Sequence, residues 1–208
     1  MRTAKIILSC AILFCLVLVN ATGAMADTLN YGGVPSGDAS VNNAYIGPYL
    51  GSLNGVSLDL YCADPFHDTG ASSWSVNVTN LASGNMTNTL LKNQTLYEQI
   101  AFLYFFDGFA TQSTAERQAM QAAVWYLASN GASPYGAAFG DSMAYVNAAK
   151  NAVLGNFNFS GVSILTDTGK NYQEFMVMTP EPTTMILFGT GLMGIAGRFV
   201  NRKRRRAS

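Results

Sequence analysis

Residues 56–62 read Val-Ser-Leu-Asp-Leu-Tyr-Cys, an alternation of apolar and polar side chains that is typical of a half-buried β-strand. The alternation places the Cys62 thiol on the inward side of the strand. The proline that follows at position 65 ends the strand, because proline has no amide proton for a sheet ladder. The residues expected on the inward side are Val56, Leu58, Leu60 and Cys62, with Ser57, Asp59 and Tyr61 on the other side.

Two helices are predicted in the middle of the chain. Residues 96–106 carry many aromatic side chains at helical spacing, which predicts a buried helix. A Ser-x-x-Glu capping box at residues 113–116 begins a second helix, which continues to Ala128. Gln121 precedes an apolar pair by one helical turn, so its side chain is expected beside the apolar stripe of that helix.

A third helix is predicted from an Asp141 cap to Gly155, with Met143, Val146 and Val153 on one side. Further strands are expected at residues 74–79, before the helices, and at 162–165 and 172–178, after them. The order of these elements predicts an α+β domain over residues 27–178, with a mostly antiparallel sheet and a three-helix insertion.

The 208-residue chain has no net charge, but its basic residues are concentrated at the two ends. Residues 27–181 hold four basic residues and all 12 acidic ones, a net charge of −8. Nucleic-acid binding needs clustered cations, so the charge pattern argues against it. The low charged fraction, 12%, is typical of an exported or membrane-associated protein.

The first 26 residues have the pattern of a secretory signal peptide. Arg2 and Lys5 precede an apolar run over residues 6–19, and small residues lead to a cleavage point before Asp27. Signal peptidase is the partner that this pattern implies. A short membrane anchor and a lipoprotein site at Cys10 are the alternatives.

The other end begins with Pro180, Glu181 and Pro182. An apolar, glycine-rich stretch over residues 183–200 follows, and it is just long enough to predict a transmembrane helix. A basic tail closes the chain and is expected to stay cytoplasmic by the positive-inside rule. The tail consists of Arg198, Arg202, Lys203, Arg204, Arg205 and Arg206.

These three parts, in this order, closely resemble the bacterial PEP-CTERM sorting signal, here at residues 179–208. The resemblance implies processing by an exosortase in a bacterium that makes extracellular polysaccharide. It also implies an inner-membrane intermediate, followed by release to the cell surface or the extracellular matrix.

Removal of the signal peptide deletes Cys10 and Cys15 and leaves Cys62 as the one thiol of the exported chain. An intramolecular disulfide is then impossible, and a solitary exported cysteine indicates intermolecular pairing, a reactive role or inert burial. Cys62 and His67 together cannot supply the four ligands of a zinc site. We expect no metal and no cofactor.

Leu60-Tyr-Cys-Ala-Asp64 on a strand and Met120-Gln-Ala-Ala-Val-Trp125 on a helix together resemble the thioester domains of bacterial surface adhesins and pilus tips. In those domains a strand cysteine is bonded to the glutamine of a Gln-x-Ala-Ile-Trp motif. In this sequence Cys62 corresponds to that cysteine and Gln121 to that glutamine. Trp125 corresponds to the tryptophan at the end of the motif. Val replaces the usual Ile, and Met120 stands where Thr is usual.

The resemblance implies a Cys62–Gln121 thioester, an electrophile that a partner's amine or hydroxyl attacks once, so the protein is not expected to be a turnover enzyme. Forming the bond requires a thiolate, and Asp64 and His67 are the candidate bases. His67 as a solvated loop residue and Gln118 as the acyl donor are the alternatives.

Two other interpretations of these residues remain open. Cysteine is among the most buried residue types, so Cys62 is equally compatible with a structural or carbohydrate-binding exopolysaccharide component in which the thiol is inert. The carboxyl pairs Asp64 with Asp68 and Glu98 with Glu116 fit a glycosidase in principle, but carboxylates this sparse are expected to be surface residues.

Overall fold

The computed structural model describes residues 26–35, 40–41, 44–132 and 140–179. Within these residues, six strands close an antiparallel barrel and two short strands form a separate ribbon. The strands are β1 (Asp27–Gly33), β2 (Ser40–Val41), β3 (Ala44–Tyr45), β4 (Tyr49–Leu53), β5 (Val56–Cys62), β6 (Ser73–Asn80), β7 (Val162–Asp167) and β8 (Phe175–Met178). Around the barrel their order is β1-β4-β5-β8-β7-β6.

The helices lie between β6 and β7 in the chain. They are α1 (Gln94–Ala101), a π-helical turn (Phe102–Phe106), α2 (Thr114–Ala128) and α3 (Ser142–Asn151), with 3₁₀ turns at Leu81–Ser83, Phe109–Thr111 and Leu154–Asn156. The predicted α+β order, with strands on both sides of a helical insertion, is therefore confirmed. Closure of the sheet into a barrel was not predicted.

The hairpin of β4 and β5 is tight because its two turn residues are suited to positive φ. Asn54 has φ 51° and Gly55 has φ 83°, the pairing that a two-residue turn requires. The predicted alternation of β5 is right at Leu60 and Cys62 and wrong at two positions. Val56 is exposed at the turn, while Tyr61 is buried because helical-layer rings cover it, Tyr104 among them at 5.0 Å.

Helix α2 begins with the predicted capping box. Ser113 accepts from the Glu116 backbone amide, and the Glu116 carboxylate accepts from the Ser113 amide. Every residue from Ala119 to Trp125 is buried, including Gln121. The predicted place of Gln121 beside the apolar stripe is thus confirmed.

The predicted helix over residues 96–106 divides into two parts. Helix α1 starts earlier, at Gln94, because the Asn93 side chain accepts from Leu96 N at 3.1 Å. After Ala101 the chain widens into the π-helical turn, in which Asp107 N donates to Phe102 O at 2.9 Å. This turn contains Tyr104, which is buried between β5 and α2.

The predicted apolar side of the third helix is right at Val146 and wrong at the other two positions. Met143 and Val153 are exposed, and the buried residues of α3 are Ser142, Val146 and Ala149. Positions 142, 146 and 149 follow helical spacing, so they share a face that excludes Met143. The helix ends at Asn151, before Val153, and Asp141 makes no side-chain cap bond.

We expect Gly51→Ala to destabilise the barrel by about 1–3 kcal/mol, because the added methyl group overpacks the interior. A Cβ on Gly51 would lie 2.6 Å from Leu60 Cδ1 and 3.0 Å from Asn30 O. Urea unfolding measures the loss. Gly155→Ala is the matched control, since a Cβ there has no neighbour within 4 Å. Equal stability of the two variants would contradict the expectation.

The signal peptide, the Pro180–Pro182 motif, the apolar segment and the basic tail lie outside the described residues. Among the helices of the described part, none has the length and apolarity needed to cross a membrane.

Candidate functional site

Cys62 is the last residue of β5 and pairs with Phe175 of β8. Its side chain is fully buried, as the strand alternation predicted. Two nitrogen donors reach its sulfur: Gln173 Nε2 at 2.8 Å and Trp125 Nε1 at 3.3 Å. The thiol itself donates to Asp64 O at 3.2 Å. The sulfur therefore makes three hydrogen bonds although it lies in an apolar core.

Gln121 lies on α2 against the backbone of Cys62. Its Nε2 donates to Cys62 O at 3.2 Å, and its side chain is fully buried. The Tyr104 hydroxyl lies between two acceptors, Cys62 O at 2.6 Å and Gln121 Oε1 at 2.9 Å. The structure thus brings together Cys62, Gln121 and Trp125, three residues that were singled out from two separate segments of the sequence.

Burial controls the acidity of this site. Desolvation raises the pKa of the Cys62 thiol to about 12, although the hydrogen bond from Trp125 opposes the shift. Burial also raises the pKa of Tyr104 well above its usual range, and the adjacent Cys62 adds to this effect. At neutral pH the thiol therefore stays protonated and the Tyr104 hydroxyl stays a hydrogen-bond donor.

Asp64 and His67, the two candidate bases, form a pair just beyond β5. His67 Nδ1 lies 2.5 Å from Asp64 Oδ2, and Asp64 Oδ1 accepts from Phe66 N at 2.8 Å. Asp64 is buried, and His67 is about one-third exposed. Asp64 touches the sulfur through its backbone oxygen, while its carboxylate faces His67. His67 is therefore held by a carboxylate and is not simply solvated.

The other candidate residues have contacts away from the sulfur. Gln118 Nε2 donates to Ser40 O at 2.7 Å. Glu98 accepts from Gln94 within α1, and Glu116 caps α2. Asp68 is exposed, and its backbone oxygen accepts from Gln173 N at 3.2 Å.

Two residues at the site were not identified from the sequence. Tyr104 was assigned to a continuous α-helix, and Gln173 to a strand. Gln173 is 111 positions from Cys62. Residues 62 and 173 meet because β5 and β8 pair, and the sequence pattern of β8 does not indicate its partner strand. A glutamine just before a strand carries no signal of its own.

Comparison with protein families gives one match, to the model described as the PEP-CTERM protein-sorting motif, over residues 179–205. This chain carries a PEP-CTERM sorting motif. The match covers Pro180, Glu181 and Pro182 and most of the basic tail. The motif marks the chain for processing by an exosortase and for export to the cell surface.

No curated protein matches the chain. Among solved structures, the chain is similar to a pilus-presented adhesin, Spy0125 (Cpa), with a TM-score of 0.44 and 13% sequence identity. The match covers 74% of this chain and 47% of the adhesin, so the chain spans about half the length of that protein. A likeness this distant supports no statement about function.

Proposed function

We propose that this exported protein attaches itself covalently to a partner through a thioester between Cys62 and Gln121. The proposal rests on one observation: Gln121 Nε2 lies 3.2 Å from Cys62 O, and both side chains are fully buried. A glutamine carboxamide is therefore held against the backbone of Cys62, which carries the one thiol predicted for the exported chain. The partner is a molecule of the cell surface or of the exopolysaccharide matrix that carries an accessible amine or hydroxyl.

In the first step, Cys62 Sγ attacks Gln121 Cδ. The S–C bond forms, the C–N bond breaks, and the thiol proton leaves with the nitrogen as ammonia. The developing oxyanion is at Oε1, where the Tyr104 hydroxyl donates. We assign the transfer of the proton from sulfur to the departing nitrogen to the Asp64–His67 pair, which adjoins the sulfur through Asp64 O.

In the second step, a partner amine attacks Gln121 Cδ. The new C–N bond forms, the C–S bond breaks, and the amine proton passes to the Cys62 sulfur. The partner is then joined to Gln121 by an amide, or by an ester if a hydroxyl attacks. Each molecule reacts once, so the protein is a single-use coupling device and not an enzyme.

Burial explains how such a bond would persist in water. A thioester is less stable than the amide that it replaces, and positioning offsets this cost, with effective molarities that reach about 10⁵ M or more. Exclusion of water from fully buried Cys62 and Gln121 slows hydrolysis.

The intact mass of the exported protein from its native host tests the proposal. We expect a mass about 17 Da below that of the sequence between the observed termini, because ammonia is lost. Methylamine should then add about 31 Da, and peptide mapping should place the label on Gln121. Cys62→Ala should carry neither change.

An unmodified mass for the wild-type protein would overturn the proposal. A label on Gln118 or Gln173 would overturn the assignment of the acyl donor while preserving the coupling chemistry.

One observation favours a second function, that of a structural or carbohydrate-binding matrix component. Burial raises the pKa of Cys62 to about 12, as expected for an inert thiol. Retention on purified exopolysaccharide that survives Cys62→Ala and is reversed by denaturant would favour this function. Retention that resists denaturant and requires Cys62 would favour coupling.

A further inference from the structure

Gln173 is in direct hydrogen-bond contact with the Cys62 sulfur. It lies two residues before β8, and its backbone amide donates to Asp68 O at 3.2 Å. Its Nε2 donates both to Cys62 Sγ at 2.8 Å and to Asp64 O at 3.2 Å. Gln173 is half-buried, whereas Cys62 and Asp64 are buried. Gln173 therefore lies on the side of the sulfur nearer to solvent.

Trp125 supplies a second donor from the helical layer. Its indole N–H reaches Cys62 Sγ at 3.3 Å, and its ring is almost fully buried. The sulfur thus receives one N–H from the β8 side of the barrel and one from α2. A free cysteine in a core needs neither donor, because a thiol is a weak acceptor and behaves as a small apolar group.

We infer that Gln173, together with Trp125, stabilises the negative charge that develops on Cys62 Sγ when the thioester is attacked. This inference rests on the proposed function. In that step the electron pair of the C–S bond moves to sulfur before a proton arrives from the amine. Two N–H donors already aimed at the sulfur stabilise that charge without reorganisation.

The contact with Asp64 supports the same role. In the thiol, Sγ–H donates to Asp64 O, but a thioester sulfur has no proton to donate. Gln173 Nε2 keeps donating to this oxygen at 3.2 Å and so remains anchored beside the sulfur throughout the reaction. Desolvation raises the pKa of the thiol to about 12, so the leaving sulfur is poor unless donors offset the cost of burial.

The test is Gln173→Met, which keeps the length of the side chain and removes its N–H donors. The thioester form of the full chain is incubated with methylamine, and its decay is followed by intact mass. We expect decay about tenfold slower than in wild type, because a hydrogen bond to a charged group is lost. Gln118→Met is the matched control, since Gln118 binds Ser40 O, away from the sulfur.

The sign of the effect separates this role from a purely structural one. A loosened site admits amine and water, so it would speed the decay. Slower decay supports the inference, and equal or faster decay overturns it. Loss of the thioester in Gln173→Met, with Gln121 intact, would also overturn it, because Gln173 would then be the acyl donor.

A second variant, Gln173→Glu, keeps the inference testable if the methionine variant does not fold. The introduced carboxyl donates to sulfur when protonated and repels its charge when ionised. The ratio of variant to wild-type decay rates should therefore fall as pH rises from about 4 to 8, through the range in which a carboxyl ionises. A ratio that is constant with pH would overturn the inference.

The outcomes for the two proposals are distinct. A wild-type protein without the mass deficit refutes the thioester itself. A wild-type protein with the deficit and a Gln173→Met variant that reacts at the wild-type rate refutes only the role of Gln173.

Discussion

Tyr104→Phe is expected to slow the reaction of the thioester with methylamine by about 100-fold, the typical effect of removing one oxyanion donor. The Tyr104 hydroxyl lies 2.9 Å from Gln121 Oε1, where negative charge accumulates when an amine attacks. Its pKa is raised well above the usual value by burial, so the hydroxyl remains protonated and able to donate. Intact mass, followed over time in methylamine, gives the rate.

The fold should tolerate this change. The ring of Tyr104 packs on Tyr61 at 5.0 Å and on Phe109 at 5.1 Å, and phenylalanine keeps both contacts. Loss of the hydrogen bond from the Tyr104 hydroxyl should cost about 1 kcal/mol of stability. Tyr61→Phe removes a hydroxyl from the same aromatic cluster and should react at the wild-type rate. Equal rates for the two variants would show that Tyr104 does not act on the carbonyl.

Glu174→Leu is expected to destabilise the domain by about 3–5 kcal/mol, because one half-buried and two buried donors lose their acceptor. The Glu174 carboxylate is fully buried and accepts from Leu90 N at 2.9 Å, from Thr166 Oγ1 at 2.5 Å and from the Tyr97 hydroxyl. Thermal unfolding should show a fall in Tm of about 10 °C or more. Thr166→Val, which removes one of the three donors, should cost about 1 kcal/mol. Similar losses in both variants would contradict this account of Glu174.

Glu174→Gln separates the charge of this residue from its hydrogen bonds. Burial raises the pKa of Glu174 above its ordinary value of 4.5, although its hydrogen bonds oppose the shift. The folded protein therefore holds this proton at pH values where the unfolded chain has released it, and stability falls as pH rises through that window. The Tm difference between wild type and Glu174→Gln should favour wild type most near pH 4 and shrink toward pH 7.

Local patterns predicted much of the site. Alternation along residues 56–62 placed Cys62 in the core, and the Ser113–Glu116 capping box set the start of α2. Helical spacing then put Gln121 on the buried face. Each of these features depends on residues within a turn or two, so the sequence displays them directly.

Nonlocal features were missed for a physical reason. Barrel closure depends on pairings between strands that are distant in sequence, such as β1 with β6. No local sequence pattern specifies the partner of each strand. Gln173 reaches Cys62 only because β8 pairs with β5. Tyr104 was assigned to a regular helix. It lies instead in a π-helical turn, which changes the direction of its side chain. Such turns are frequent at functional sites.

The short strand β8 connects the site to the sorting tail. It ends at Met178, one residue before the matched motif begins, and its first residue, Phe175, is the partner of Cys62. Four residues of extended chain span about 13 Å, so the proposed Cys62–Gln121 bond lies about one short strand away from the start of the sorting motif. Any pull on the chain at that point would be transmitted first to the strand that pairs with Cys62.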